Sequence, residues 1–343
     1  MGKSKRKIIL SIGAGAALLI TIFAVTFGGN MWFPGNKEEN GNSLDKHKVV
    51  FITKSTDSAF WQSAYAGANA ASAEYNLDLI CEGPDSEEKY ETQNRMINQA
   101  IKDNADAIIL SAIDFEANAK AVDRAAGNGI EIVVVDSPVD SSKVKCYIGT
   151  DNYEAGCMAG EEALENEVKN LKIGIVNFDK NTENGQMRES GFRDTVKKDK
   201  RTDIVSSINV KSTVQDAKQG TIQMLKSYPE INVIVTFNEW TSLGVGYGVE
   251  SMERSDDTQV IAFDSNVKSV SMLENGDVDA LIVQNPYAIG YMGVESAYSL
   301  INGQEVKDKE IETSSILVTR ENMYNEKSQR ALFSFGKEDS LKS

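Results

Sequence analysis

Val49-Val50-Phe51-Ile52-Thr53-Lys54-Ser55-Thr56-Asp57-Ser58-Ala59-Phe60-Trp61 passes from an uninterrupted apolar quartet through a polar turn into an amphipathic segment that reaches Tyr75. A short apolar run without alternation predicts a strand covered on both faces, and the segment behind it a helix packed on the sheet. The same couplet recurs. Leu77 to Ile80 precedes a helix from about Tyr90 to Lys102, Ala107 to Leu110 precedes one from Asn118 to Ala126, and Ile132 to Val135 and Cys146 to Ile148 read as further strands.

The pattern then restarts. Ile173 to Val176 leads to a helix around Gln186 to Lys197, and Ile204 to Val210 to one at Val214 to Leu225. Ile231 to Thr236 leads to Leu243 to Met252, Val260 to Phe263 to Val267 to Leu273, and Ala280 to Val283 to a helix that opens at Pro286 and reaches Leu300. Two open, parallel α/β sheets of five or six strands with right-handed crossovers account for this series. Thr150 to Tyr153 marks a first passage between them.

Composition agrees with a folded body. The chain has 343 residues, 41% hydrophobic and 25% charged, which argues against disorder and allows two lobes with a core each. Four of its 36 basic residues (Lys3, Lys5, Arg6 and Lys7) precede an apolar stretch, leaving 32 against 51 acidic residues, a balance of −19. Nucleic acid is a poor partner for such a surface. Cys81, Cys146 and Cys157 are too few and too far apart for a disulfide scaffold or metal cluster, and His47 is the lone histidine. No cofactor, metal site or catalytic triad is expected.

Ile8 to Phe27 carries no charge over twenty positions, long enough for a membrane-spanning helix, and the basic residues before it place the body outside the cell. A secretion signal cleaved after this stretch is the competing reading, and both imply export. Pro34 to Leu44 is polar and Gly/Asn-rich, as a tether would be.

Ligands of open α/β sheets bind beyond the carboxyl ends of the strands. Polar residues at those positions are Ser55 and Asp57, Ser111 and Asp114, Asp136 and Ser137, Asn177, Asn238 and Glu239, Asp264 and Ser265, and Gln284 and Asn285, with the rings of Phe60 and Trp61 beside them. Carboxylates, amides and hydroxyls next to flat rings suit a hydroxyl-rich ligand. Each has a structural alternative: Asp136 as a turn residue, Asp264 as the cap of the next helix, and Asp114 as the start of the helix containing Asn118.

In TKSTDSAFW (Thr53 to Trp61), SAID (Ser111 to Asp114), NGIEIVVVDSPV (Asn128 to Val139), GTDNYEAG (Gly149 to Gly156), RESGF (Arg188 to Phe192), FNEWTSLG (Phe237 to Gly244), AFDSN (Ala262 to Asn266) and VQNPYAIGYMG (Val283 to Gly293), the chain resembles the type I periplasmic binding proteins, in particular the ribose/galactose-type receptors of ABC importers. The resemblance covers about residues 47 to 330. It implies two similar lobes joined by three crossings: 47–150 plus 286–313 in lobe one and 151–285 plus 314–330 in lobe two. Residues 1–7 would be a cytoplasmic basic segment, 8–27 the anchor or signal, 28–46 the tether and 331–343 a polar tail.

For the site the resemblance implies Phe60, Trp61, Asp136, Ser137, Arg188, Asn238, Asp264 and Gln284, joined by Ser55, Asn184, Gln186, Gln215 and Trp240. The family's ribose pattern has an arginine after the first-lobe aspartate, where this chain has Ser137, and a serine cannot reproduce a guanidinium fork. Where that pattern has a second-lobe aromatic, Gln215 offers an amide. The implied function is non-enzymatic capture of a monosaccharide or related polyol by a monomeric body that delivers it to an ABC importer permease. A membrane histidine kinase or chemoreceptor is the alternative partner. A DNA-binding regulator of this architecture would need a helix-turn-helix where residues 1–46 carry an apolar span, and no distinctive catalytic constellation supports a hydrolase.

Overall fold

The computed structural model describes residues 46–333. The expected anchor and its basic flank, nearly all of the tether and the last ten residues lie outside the described residues. Among the described residues no helix is long and apolar enough to cross a membrane.

The first half builds β1 (Lys48–Ile52), α1 (Ala59–Glu74), β2 (Asp78–Glu82), α2 (Tyr90–Lys102), β3 (Ala107–Leu110), α3 (Ala119–Gly127), β4 (Glu131–Val135) and β5 (Cys146–Thr150). The second builds α4 (Asn152–Glu165), β6 (Leu171–Asn177), α5 (Glu183–Val196), β7 (Thr202–Asn209), α6 (Val214–Ser227), β8 (Val233–Thr236), α7 (Glu239–Ser251), β9 (Gln259–Phe263), α8 (Val267–Asn275) and β10 (Ala280–Val283). After α9 (Pro286–Ile301) the chain adds β11 (Glu310–Thr313), β12 (Ile316–Thr319) and α10 (Glu326–Leu332). One sheet has the order β11-β5-β4-β3-β1-β2, the other β12-β10-β9-β8-β6-β7. The two orders are the same permutation, so the restart read from the sequence is a repeated architecture. The pairings are parallel except β10 with β12, which is antiparallel. The chain passes between the sheets three times: after β5, after β10, and between β11 and β12.

Burial explains the apolar quartets. Val49 and Phe51 join Ala64 and Ala68 of α1 and Ile289 and Val294 of α9 on one face of the first sheet. Val50 and Ile52 meet Ile97 of α2 and Val122 of α3 on the other. Ile175 and Val176 divide the second sheet likewise, the former toward α4 and α5, the latter toward α6, α7 and α8. Each fully buried aliphatic or aromatic side chain contributes roughly 1.5–3 kcal/mol, which leaves no place for the polar alternation of a one-sided strand. Leu332 at the end of α10 is also buried in the second core.

One helix contact fixes the site directly. A Cβ on Gly156 of α4 would lie 2.0 Å from the carbonyl oxygen of Arg188 in α5, and one on Gly191 of α5 would lie 2.0 Å from that of Tyr153. Only glycine allows these backbones to approach so closely, and the approach sets where Arg188 projects. Gly156→Ala must push α5 outward. We expect a loss of about 1–3 kcal/mol in urea unfolding, as for overpacked interiors.

Candidate functional site

The carboxyl ends of both sheets face one narrow cleft, whose empty space of about 330 Å³ includes the solvent at its mouth. Its walls come from both halves: Lys54, Ser58, Phe60, Trp61, Glu87 and Asp136 from the first, and Phe178, Asn184, Arg188, Asn238, Glu239, Trp240, Asp264 and Gln284 from the second.

Two aspartates occupy equivalent places. Asp136 follows β4 and Asp264 follows β9, and each has a left-handed backbone, with φ of 58° and 67°. Asp is among the few non-glycine residues that take this region readily, and departures of this kind gather at functional sites. The turn aims each short carboxylate back across its strand end. Neither is a helix cap. The cap of α8 is Asn266, whose side chain accepts the backbone N–H groups of Lys268 and Ser269 in a reciprocal box with the Ser269 hydroxyl.

Asp136 lies in a buried polar cluster. Its Oδ2 accepts from Ser111 Oγ at 2.9 Å and pairs with Lys54 Nζ at 3.2 Å. Its Oδ1 accepts from Asn184 Nδ2 at 3.2 Å. Lys54 and Asp136 are both only 4% exposed, so removing either partner would leave the other buried without its counterpart.

Asp264 sits at one end of a carboxylate–amide–guanidinium chain. Gln284 Nε2 donates to Asp264 Oδ1 at 2.6 Å, while Gln284 Oε1 accepts from Arg188 Nη2 at 2.8 Å and from Thr150 Oγ1 at 2.8 Å. Arg188 also donates from Nε to Asn152 Oδ1 at 2.9 Å and from Nη1 to the Phe237 carbonyl at 2.6 Å, with its guanidinium 4.9 Å from the Phe263 ring centroid. Burial pushes the Asp264 carboxyl up to about 6, although the Arg188 charge and the Gln284 bond pull it down.

Phe60 and Trp61 meet edge to face, with centroids 4.8 Å apart and planes at 83°. Both line the cavity, and Trp61 Nε1 donates to Glu87 Oε1 at 3.3 Å. Asn238 is the N-cap of α7. Its side-chain Oδ1 accepts from Thr241 N at 2.9 Å, which leaves Nδ2 to donate to Ser212 Oγ at 2.7 Å and Glu87 Oε2 at 3.5 Å. Glu239 accepts from the backbone N–H groups of Ala59 and Phe60 at 3.2 Å each, and burial pushes its carboxyl up to about 7.

Most residues singled out in the sequence thus meet at one cavity: Phe60, Trp61, Asp136, Arg188, Asn238, Asp264 and Gln284, with Asn184 and Trp240. Four others stand away from its lining. Ser55 and Ser137 are buried behind their strand ends, Gln186 lies on α5, and Gln215 is exposed on the first turn of α6. Asp114 takes a local structural part, its Oδ1 accepting from the N–H groups of Glu116 and Ala117. The lining residues that sequence reasoning passed over are Lys54, Ser58, Glu87 and Phe178. Glu239 was read with Asn238 as a polar residue beyond a strand end, but the implied site kept only Asn238.

The family model for the periplasmic binding protein domain matches residues 49–305. The chain is similar to the D-ribose/D-allose-binding protein of Pseudomonas aeruginosa, with 25% identity over 80% of this chain and 89% of the relative. It is similar to a carbohydrate transporter solute-binding protein from Agrobacterium radiobacter solved with D-arabinose, with a TM-score of 0.81 and 26% identity over 84% of this chain and 100% of that one. An ABC transporter solute-binding protein from Agrobacterium vitis, solved with D-fucose, gives a TM-score of 0.80 and 26% identity, covering 83% of this chain and 100% of the other.

Proposed function

The chain belongs to the periplasmic binding protein domain family, and from that premise we propose that it captures a neutral monosaccharide or closely related polyol between its two lobes and delivers it to an ABC importer. The family is one of substrate-binding proteins, whose work is to bind and release without a covalent step. The body acts outside the cytoplasm, and we assign residues 8–27 as its membrane anchor, with a cleaved signal as the alternative, and residues 28–46 as the tether.

The observation that carries this reading is the pairing of Asp136 and Asp264 across one cavity, each turned inward by a left-handed backbone and each beside a cation, Lys54 or Arg188. Vicinal hydroxyls of a pyranose or furanose donate to the carboxylates. Three of the five N–H donors of Arg188 hold protein acceptors, and the others serve ligand oxygens. Phe60 and Trp61 cover an apolar sugar face. The relatives solved with D-arabinose and D-fucose support the ligand class. The cation beside Asp136 is Lys54 Nζ, a point charge without a guanidinium fork, which fits a ligand other than ribose.

A micromolar affinity corresponds to roughly −8 kcal/mol, which one small wet pocket can supply. A thermal-shift screen of the full-length chain with D-ribose, D-allose, D-arabinose, D-fucose, hexoses and inositols is expected to give at least one concentration-dependent rise. At 100 times Kd the added stability is about 2.7 kcal/mol. Amino acids should have no comparable effect. Stabilisation by leucine-like ligands and by no sugar or polyol would overturn the proposal.

A further inference from the structure

The two lobes touch through carboxylates that reach across the cleft to the start of a helix on the other side. Glu239, first residue of α7 in the second lobe, accepts from Ala59 N and Phe60 N at 3.2 Å each, the first two residues of α1 in the first lobe. In the opposite direction Glu87 Oε2 accepts from Ser212 Oγ at 2.7 Å and Glu88 Oε1 from Ser212 N at 2.9 Å, just before the N-cap of α6. Helix N-termini hold backbone N–H groups that no helical carbonyl can reach. When the lobes separate, these groups and the carboxylates return to water, so the contacts exist only in the closed form. Phe60 is itself a cavity wall, so the Glu239 contact ties closure to the ring that faces the ligand.

We propose that Glu239 is the closing latch of this receptor, and that shutting the lobes takes up a proton at its carboxyl, so that acidification favours the closed form and tightens ligand binding. The part of this inference that concerns ligand rests on the sugar-receptor reading above.

The sign follows from surroundings. In the closed form Glu239 is 6% exposed and faces the N–H groups of α1 and, from the loop before α8, Asn266 Nδ2 at 3.0 Å. The charged groups around the same cavity are Asp264, Glu87 and Asp136 against Lys54 and Arg188. Lys54 is already paired with Asp136, and no cation pairs with Glu239 among the described ion pairs. Burial, reinforced by the Asp264 charge, outweighs the N–H and amide donors that favour the carboxylate, and pushes the closed-state value up to about 7 from the ordinary 4.5 of a solvated glutamate. The closed state therefore binds the proton more tightly. Its contribution to closure is complete below the open-state value and is lost as pH rises through the closed-state value. Between pH 8 and pH 6 the closed-to-open ratio is expected to rise about tenfold.

The test has a ligand-free arm. Asp85 and Gln215 are exposed residues on opposite lips of the cleft, flanking the Glu87–Ser212 contact. Spin labels at these two positions, in the full-length chain with its three cysteines replaced by alanine, report the interlobe distance. The short-distance population should grow about tenfold relative to the open form from pH 8 to pH 6 in the Glu239 chain and only about twofold in Glu239→Gln, which keeps the length but not the titration and leaves chiefly the buried Asp264 carboxyl to take up protons on closure. A distance distribution independent of pH in the Glu239 chain overturns the latch, whether or not Glu239→Gln folds. Calorimetry with D-ribose, D-arabinose and D-fucose in buffers of different ionisation enthalpy forms the second arm. Proton uptake on binding that falls in Glu239→Gln supports the inference, and binding without proton uptake overturns it. Absence of binding by any sugar or polyol counts against the receptor reading alone, since the spin-label arm still decides the latch.

Discussion

Arg188→Met is expected to lower the free energy of unfolding by about 3–5 kcal/mol, the range for removing one partner from a buried charged network, and to abolish stabilisation by any sugar. The side chain is 1% exposed. Its removal leaves the carbonyl of Phe237 and the side-chain oxygen of Asn152 without the donor they now share, and cuts Gln284 from the guanidinium. Each buried acceptor left unmatched costs about 1–3 kcal/mol. The loss of positive charge also removes what holds the Asp264 carboxyl down, so that carboxyl protonates at higher pH still. Arg188→Lys keeps a charge but satisfies fewer of the three directions at once, and its stability should fall between the two. Urea midpoints on the same preparations measure the series. A loss below about 1 kcal/mol in Arg188→Met would mean that the network tolerates its centre being removed.

The strands that build the lobes were legible because they are buried on both faces, so the quartets at Val49–Ile52, Ala107–Leu110 and Val260–Phe263 have no polar interruption. The strand at Glu310–Thr313 was not, because it lies at the edge of its sheet, where Glu310 and Glu312 are exposed and the run has no apolar signature. Its neighbour Ile316–Thr319 pairs antiparallel, a register that no alternation of helix and strand announces. In the cavity, Asp136 and Asp264 could be read because a carboxylate directly after an apolar strand has little else to do. Lys54 could not, since a lysine is almost never buried unless paired, and its partner is far away in sequence. Glu239 follows its strand as the rule requires, yet it serves a helix of the opposite lobe, and a rule about strand ends is blind to what the facing lobe presents. Gln215 was placed by resemblance alone, and the period of α6 turns it to solvent.

Asp264→Ala should weaken sugar binding by about 30-fold or more while the protein remains folded. One oxygen of the carboxylate is engaged by Gln284 Nε2 at 2.6 Å, and the residue lines the cavity that the sugar would fill. Hydrogen bonds to a charged group contribute about 1.5–3 kcal/mol each, so losing the ligand's share costs roughly 2–4 kcal/mol, at 1.4 kcal/mol per tenfold in Kd. Asp264→Asn retains shape and the tolerance for a left-handed backbone, loses charge assistance, and should lie between the wild type and alanine. The backbone offers a sharper control. Alanine at a φ of 67° meets a steric penalty of about 1–2 kcal/mol that glycine does not. Asp264→Gly should therefore share the affinity loss of Asp264→Ala yet recover about 1 kcal/mol or more of its apo stability. Calorimetric Kd and apo urea unfolding on the same three variants separate the two roles. Unchanged Kd in Asp264→Gly, with reduced stability only in Asp264→Ala, would make Asp264 a residue of the turn alone and remove it from the sugar site.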